Sequence, residues 1–226
     1  MRATIRSHWM IAALVTLAVA VPCEAQIVEV TPFAGTYRPQ SYLFEIPGTC
    51  LGGVGQCGTY GVTQQTGFAI GARVTAWTSK RLALDLSFGY SRSRVERPQV
   101  PNGLDFSVGG TEPSNITRGS LGLLVVVIPP RTSPASLYLV GALSFVAHGG
   151  AAYGGTNMLA PSQTNWGPLL GVGARLRIDP ALALRAELEN QFYAFTGPGT
   201  SNSSRQRDLV LSLGLSATLG RKPLPH

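Results

Sequence analysis

Charged residues recur at alternate positions of segments that are otherwise greasy: Arg73, Asp85, Arg175, Arg177, Arg185, Glu187 and Glu189. In an extended strand, residues two apart share a face. Arg185, Glu187 and Glu189 would then form one charged column, and Arg175 with Arg177 another, with Glu29 joining the same side. Charges of both signs on one face have two chemical uses: an ion-pair plug or a selective pore lining. A turn at Thr78-Ser79-Lys80 would set Arg73 directly opposite Asp85. A second group, Arg92, Arg94, Arg97, Arg205 and Arg207, falls in loops or at strand ends. Guanidinium groups bind phosphate through paired hydrogen bonds, so this group suits contact with the phosphates of lipopolysaccharide. Solvated loop charge is the plain alternative.

Catalytic chemistry has thin support. His148 lies at a strand end before Gly149-Gly150, and Ser144 is four residues back on the same face. That spacing is about 13 Å at the strand rise, too far for a Ser–His pair, and a histidine there is expected to be a hydrated surface residue. Asp85 and Ser87 share a face with no histidine near them in sequence. No catalytic, cofactor-binding or metal-binding residue is therefore assigned, and the chain is expected not to be an enzyme. Cys50 and Cys57, in a Gly-rich stretch, suit a small disulfide-closed loop in an oxidising compartment. Two cysteines without a nearby histidine make an incomplete zinc set.

The elements that carry these groups show best at Leu82-Ala83-Leu84-Asp85-Leu86-Ser87-Phe88-Gly89-Tyr90-Ser91, where every even position is large and apolar. Such alternation marks a strand with one greasy face. It recurs to give eight strands: Ile27 to Arg38, Thr66 to Trp77, the segment just quoted, Ile116 to Ile128, Leu137 to Ala147, Asn165 to Ile178, Ala181 to Phe195 and Asp208 to Leu219. The fourth is apolar on both faces towards its end, so its facing stays open. Pro32 is tolerable only at an edge or bulge.

Before the strands, Arg2 and Arg6 precede an apolar run from Met10 to Val21 and then Pro22-Cys23-Glu24-Ala25. This is the form of a cleavable secretory signal peptide, residues 1–25. The run is shorter than the ~20 apolar residues a spanning helix needs. Cys23 opens a lipoprotein reading, against which stand Pro22 beside it and Ala20 where leucine is usual. Residues 26–220 form one domain and 221–226 a short C-terminal tail. The 18 Lys and Arg against 11 Asp and Glu give a net +7. Nucleic acid would fit that balance, but the export signal argues against it.

Connections alternate short and long. Thr78 to Lys80, Pro129 to Ser136 and Asp179-Pro180 are short, while the four others are long and rich in Gly, Pro, Ser and Asn. Short periplasmic turns with long outer loops are the asymmetry of outer-membrane barrels. A soluble barrel would need an apolar interior, and the smaller face here is Gly, Ala, Ser, Arg and Glu. Its outside would expose rows of Leu and Val far beyond what soluble monomers tolerate. Trp77 and Tyr138 near the short turns, and Phe88, Tyr90, Phe145, Trp166, Phe192, Tyr193 and Phe195 near the long loops, suit two aromatic belts.

The opening Val28-Glu29-Val30-Thr31-Pro32-Phe33-Ala34-Gly35, the eight alternating segments and the loop asymmetry resemble the small eight-stranded family of outer-membrane protein A. The resemblance covers Ile27 to Leu219. The end, Gly220 to His226, departs from it by lacking the terminal aromatic. It implies an all-β, eight-stranded, antiparallel up-and-down transmembrane β-barrel in the outer membrane, inserted by the barrel-assembly machinery. Enzymes on this scaffold act on lipid A, which keeps a lipid A-modifying role as one alternative. The other is a narrow channel for small ions or apolar solutes. The preferred expectation is a monomeric, non-enzymatic barrel with a structural or surface-interaction role, surrounded by outer-membrane lipids and plugged by ion pairs. Its first loop and the loop from Ser93 to Pro113 are the expected contact surfaces.

Overall fold

The computed structural model describes residues 27–47, 59–96, 110–129, 134–154, 162–197 and 203–219. The signal peptide, Cys50 and Cys57, Arg97 and the tail at 221–226 lie outside the described residues. The strands are β1 (Ile27–Pro39), β2 (Phe44–Pro47), β3 (Thr59–Gln64), β4 (Gly67–Trp77), β5 (Leu82–Glu96), β6 (Thr111–Ile128), β7 (Ala135–Gly149), β8 (Thr164–Arg177), β9 (Leu182–Thr196) and β10 (Ser203–Leu219). One helical turn, α1 (Ala151–Gly154), follows β7. Eight strands close into an antiparallel ring in the order β1-β4-β5-β6-β7-β8-β9-β10, with β10 returning to β1. β2 and β3 form a hairpin that sits on the end of the wall, where Thr63 and Gln64 pair with Glu96 and Val95.

Alternation sets the facing of every ring strand. Leu213 is 58% exposed and Ser212 beside it 3%; Leu84 is 44% exposed and Asp85 1%. In all, 26 large apolar side chains among the described residues are exposed. That much apolar surface in water exceeds the few hundred Å2 a soluble monomer carries. Facing hydrocarbon, it is stabilising, and a closed ring leaves no backbone edge unpaired in lipid. The ambiguous strand, β6, turns Leu121, Leu123 and Val125 outward and Leu124 and Val126 inward. A register shift between Val126 and Ile128 then lets Val127 and Ile128 both face out.

Two inner turns share one construction. The amides of Thr78 and Ser79 both donate to the Leu82 carbonyl (3.0 and 3.1 Å), and those of Ile178 and Asp179 to the Leu182 carbonyl (2.9 and 3.1 Å). Ser79 Oγ and Asp179 Oδ1 accept the return amides. Each turn is thus four residues long, one more than the sequence suggests at Thr78 to Lys80. Pro32 interrupts the β1–β10 ladder, whose pairs skip from Val30↔Ala217 to Phe33↔Gly214. Proline has no amide to donate; a Thr31–Ser216 hydroxyl bond of 2.7 Å spans the gap from inside.

Candidate functional site

The inward faces meet in a knot of ion pairs. Arg73 on β4 reaches Asp85 on β5 (2.7 Å), Glu187 on β9 (2.6 Å) and Glu189, also on β9. Arg185 bonds Glu187 (2.7 Å) and Asp85 (3.3 Å). β5 and β9 are four steps apart in a ring of eight, so the Arg185–Asp85 pair joins opposite walls. Neutral groups complete the knot. Thr75 donates to Asp85 (2.8 Å) and accepts from Arg185 (2.8 Å). Tyr138 on β7 donates to Glu187 (2.7 Å), accepts from Arg185 Nε (2.7 Å) and lies under the guanidinium, 4.9 Å from its ring centre. Pairing and hydrogen bonding of this kind offset the cost of burying these charges.

The register departs from the expected one. The longer turn sets Arg73 opposite Ser87 and Thr75 opposite Asp85, so Arg73 and Asp85 meet on the diagonal. Arg175 is opposite Arg185, but its guanidinium goes to Glu29 on β1 (2.6 Å). Arg177 makes no ion pair among the described residues. Tyr138 stands in no aromatic belt: at an inward position of β7 it is buried, its ring packed over Gly173 directly across the ladder. A side chain at 173 would overlap that ring, so glycine there makes the room Tyr138 needs. Beside it, Leu124, Val126, Val140 and Leu169 build an apolar stretch of inner wall.

Towards the long-loop end an aromatic roof covers the lumen. Tyr37, Tyr193, Phe195, Tyr153 and His148 pack with Leu43, Phe44, Val62, Val95, Ile116 and Val146. His148 is thus buried, not a hydrated rim residue, and Tyr193 and Phe195 line the interior, not a membrane boundary. The cause is parity: all three sit at inward positions of β7 and β9. Gly150, with φ of 97°, turns the chain after β7 so that α1 brings Ala152 and Tyr153 inward. The Tyr153 hydroxyl donates to Gln64 (3.1 Å), and Gln64 donates to Ser114 (3.1 Å). Burial pushes the Tyr153 hydroxyl's pKa up, keeping it a neutral donor.

Asp208 accepts from Tyr37 (2.7 Å) and Tyr193 (2.8 Å), and Tyr193 also meets His148 Nε2 (3.3 Å). His148 Nδ1 has no partner among the described residues, so no carboxylate orients the ring as a base requires. Ser144 donates instead to the Gly167 carbonyl (2.8 Å). Among the described residues, no three His, Cys, Asp or Glu gather in a way that could hold a metal ion. Tyr37, Thr75, Arg118, Tyr138 and Asp208 are, among the described residues, interior polar groups that the expected charge columns did not include; their inward parity was the available signal.

Outside, Arg92, Arg94, Arg205 and Arg207 are all exposed, at the strand ends rather than in loops, near the end of β5 and the start of β10. Arg92 sits opposite Phe68, and Arg207 lies over the Phe192 ring at 5.7 Å. Phe68, Phe88 and Trp166 are exposed, with Trp166 tilted against Phe145 at 5.5 Å, so aromatic rings do occupy this outer boundary.

No protein-family model matches the chain, and no curated protein matches it. Solved structures are similar in fold. The outer membrane protein OprG from Pseudomonas aeruginosa superposes with a TM-score of 0.58 at 14% identity, over 86% of this chain and 95% of that one. The outer membrane protein AlkL, solved by solid-state NMR in DMPC bilayers, gives 0.51 at 15% identity, over 91% of this chain and 98% of that one. At such identities the likeness is one of architecture, and it agrees with the closed ring and its outward apolar face.

Proposed function

We propose that this eight-stranded outer-membrane β-barrel is a closed, non-enzymatic protein that works through its outer surface, as structural support and as a contact surface. The carrying observation is the Arg73–Asp85–Arg185–Glu187–Glu189 knot, which bridges opposite walls with guanidinium–carboxylate contacts. An ion crossing the lumen would have to part these pairs, at roughly 3–5 kcal/mol for each buried charge left alone. The roof around Tyr37, Tyr153 and Phe195 adds an apolar barrier above it. Both favour a plug over a pore lining. Among the described residues no carboxylate bonds His148, which favours a role without catalysis.

Planar-bilayer recording tests the reading. The purified barrel is expected to give no stable unitary current, and reproducible unitary steps would reject the plug. Mass spectrometry of lipid A from cells with and without the protein addresses catalysis: identical spectra are expected, and a new lipid A species would overturn the non-enzymatic assignment.

A further inference from the structure

We propose that the outward face of β1 and its neighbours β10, β4 and β5 is a docking site for a phosphorylated glycolipid of the surrounding leaflet. It rests on the reading that the barrel's outside, not its lumen, engages ligands. Arg38 on β1 is opposite Leu209, which makes Arg207, two residues on, its diagonal neighbour. Such neighbours lie roughly 7–8 Å apart, with their Cβ atoms somewhat closer. Arg205 is two residues further on the same face, and Arg92 and Arg94 stand on β5 beyond β4. All five are exposed, and none makes an ion pair with a described residue. Glu96, outward on β5, is bonded by Gln65 at 3.0 Å. Like charges this close repel each other, and a shared anion relieves that repulsion. Guanidinium pairs favour phosphate.

The surroundings select which phosphate. Below Arg38 the outward column of β1 is Thr36, Ala34 and Pro32. Phe68 and Ile70 flank it on β4, and Leu211 and Leu213 on β10, in register with Thr36 and Ala34. A column of small side chains between two of large ones is a lengthwise apolar slot about two strand spacings, ~10 Å, across. Above Arg38 an open groove of about 660 Å3 is lined by Arg38, Gln40, Ser41, Tyr42 and Thr63 among others. The Tyr42 ring rests on Gly61 and leaves its other face open. Slot, arginines and polar aromatic groove follow one another in the order acyl chain, phosphate, saccharide. That order fits a phosphorylated glycolipid and not a simple anionic phospholipid.

Titration of the folded barrel in neutral detergent with bis-phosphorylated lipid A, followed by native mass spectrometry, tests the site. Heat-modifiable gel migration verifies that each variant is folded. Wild type is expected to bind saturably. Arg38→Gln/Arg207→Gln is expected to bind about 100-fold more weakly, on the order of tenfold for each lost charged hydrogen bond. Ala34→Trp, which fills the slot, is expected to weaken lipid A binding while sparing the deacylated, phosphorylated saccharide. Unchanged affinity in the double variant overturns the proposal, as does equal affinity for dephosphorylated lipid A or for phosphatidylglycerol. A barrel that conducts yet binds lipid A rejects the plug alone; a closed barrel that does not bind rejects this site alone.

Discussion

Arg73→Met should cost the barrel more stability than Arg185→Met, although both delete one buried guanidinium from the same knot. The reason lies in what each leaves behind. Arg185 bonds Asp85 and Glu187, both of which Arg73 also holds. Thr75 and Tyr138 donate to the same two carboxylates. Removing Arg185 therefore strips charged hydrogen bonds without stranding an anion, a loss of about 1.5–3 kcal/mol. Glu189 differs, because Arg73 is its only ion-pair partner among the described residues. Removing Arg73 leaves that carboxylate buried with no ion-pair contact among the described residues, which costs up to about 3–5 kcal/mol. Methionine keeps most of the volume, so little of either figure is cavity. Adding Glu189→Gln to Arg73→Met should recover much of the difference. The assay is equilibrium denaturant unfolding in lipid vesicles, read by the fluorescence of Trp77 and Trp166. Equal and small losses in both variants, under ~1 kcal/mol, would refute the reasoning, because they would mean that water already screens these charges.

Gly173→Ala should destabilise by about 1–3 kcal/mol, the range for overpacking, since a methyl there meets the Tyr138 ring. In the Tyr138→Ala background the same change should cost little, as measured by the same unfolding assay. Leu213→Arg places a cation in the middle of the outward Leu211, Leu213, Leu215 row and should cost about 2–4 kcal/mol, whereas Leu219→Arg at the row's end should cost about 0–1. Equal costs at the two positions would contradict a lipid-facing row.

Much of the architecture was legible because alternation is a local signal. Leu84 against Asp85 and Leu213 against Ser212 point as their parity says, and eight such segments closed the ring. Depth and partners were less so. Parity puts Tyr138 and His148 inside, against the expected belt tyrosine and hydrated histidine, but cannot say what they touch, because that depends on register and on side chains two strands away on β9. The Arg73–Asp85 relation moved to the diagonal because side-chain bonding at Ser79 makes the turn one residue longer. β5, β6 and β10 extend beyond their expected ends, to Glu96, from Thr111 and from Ser203. Their Ser, Arg and Asn content reads as loop until the ladder between Glu96 and Thr111 is seen. The β2–β3 hairpin is too short to show a period at all. The arginine group expected in loops or at strand ends lies, for Arg92, Arg94, Arg205 and Arg207, at outward positions near the ends of β5 and β10.

Thiol labelling at two adjacent positions asks most directly whether lipid lies on one side of the wall and a sealed lumen on the other. Ser212→Cys and Leu213→Cys, each in a Cys50→Ser/Cys57→Ser background in intact bilayers, should both resist a charged thiosulfonate reagent, and only the cysteine at 213 should react with a lipid-soluble maleimide. Rapid modification at 212 by the charged reagent would mean a water-filled bore. At 213 it would mean that the leucine row meets water and no membrane surrounds it.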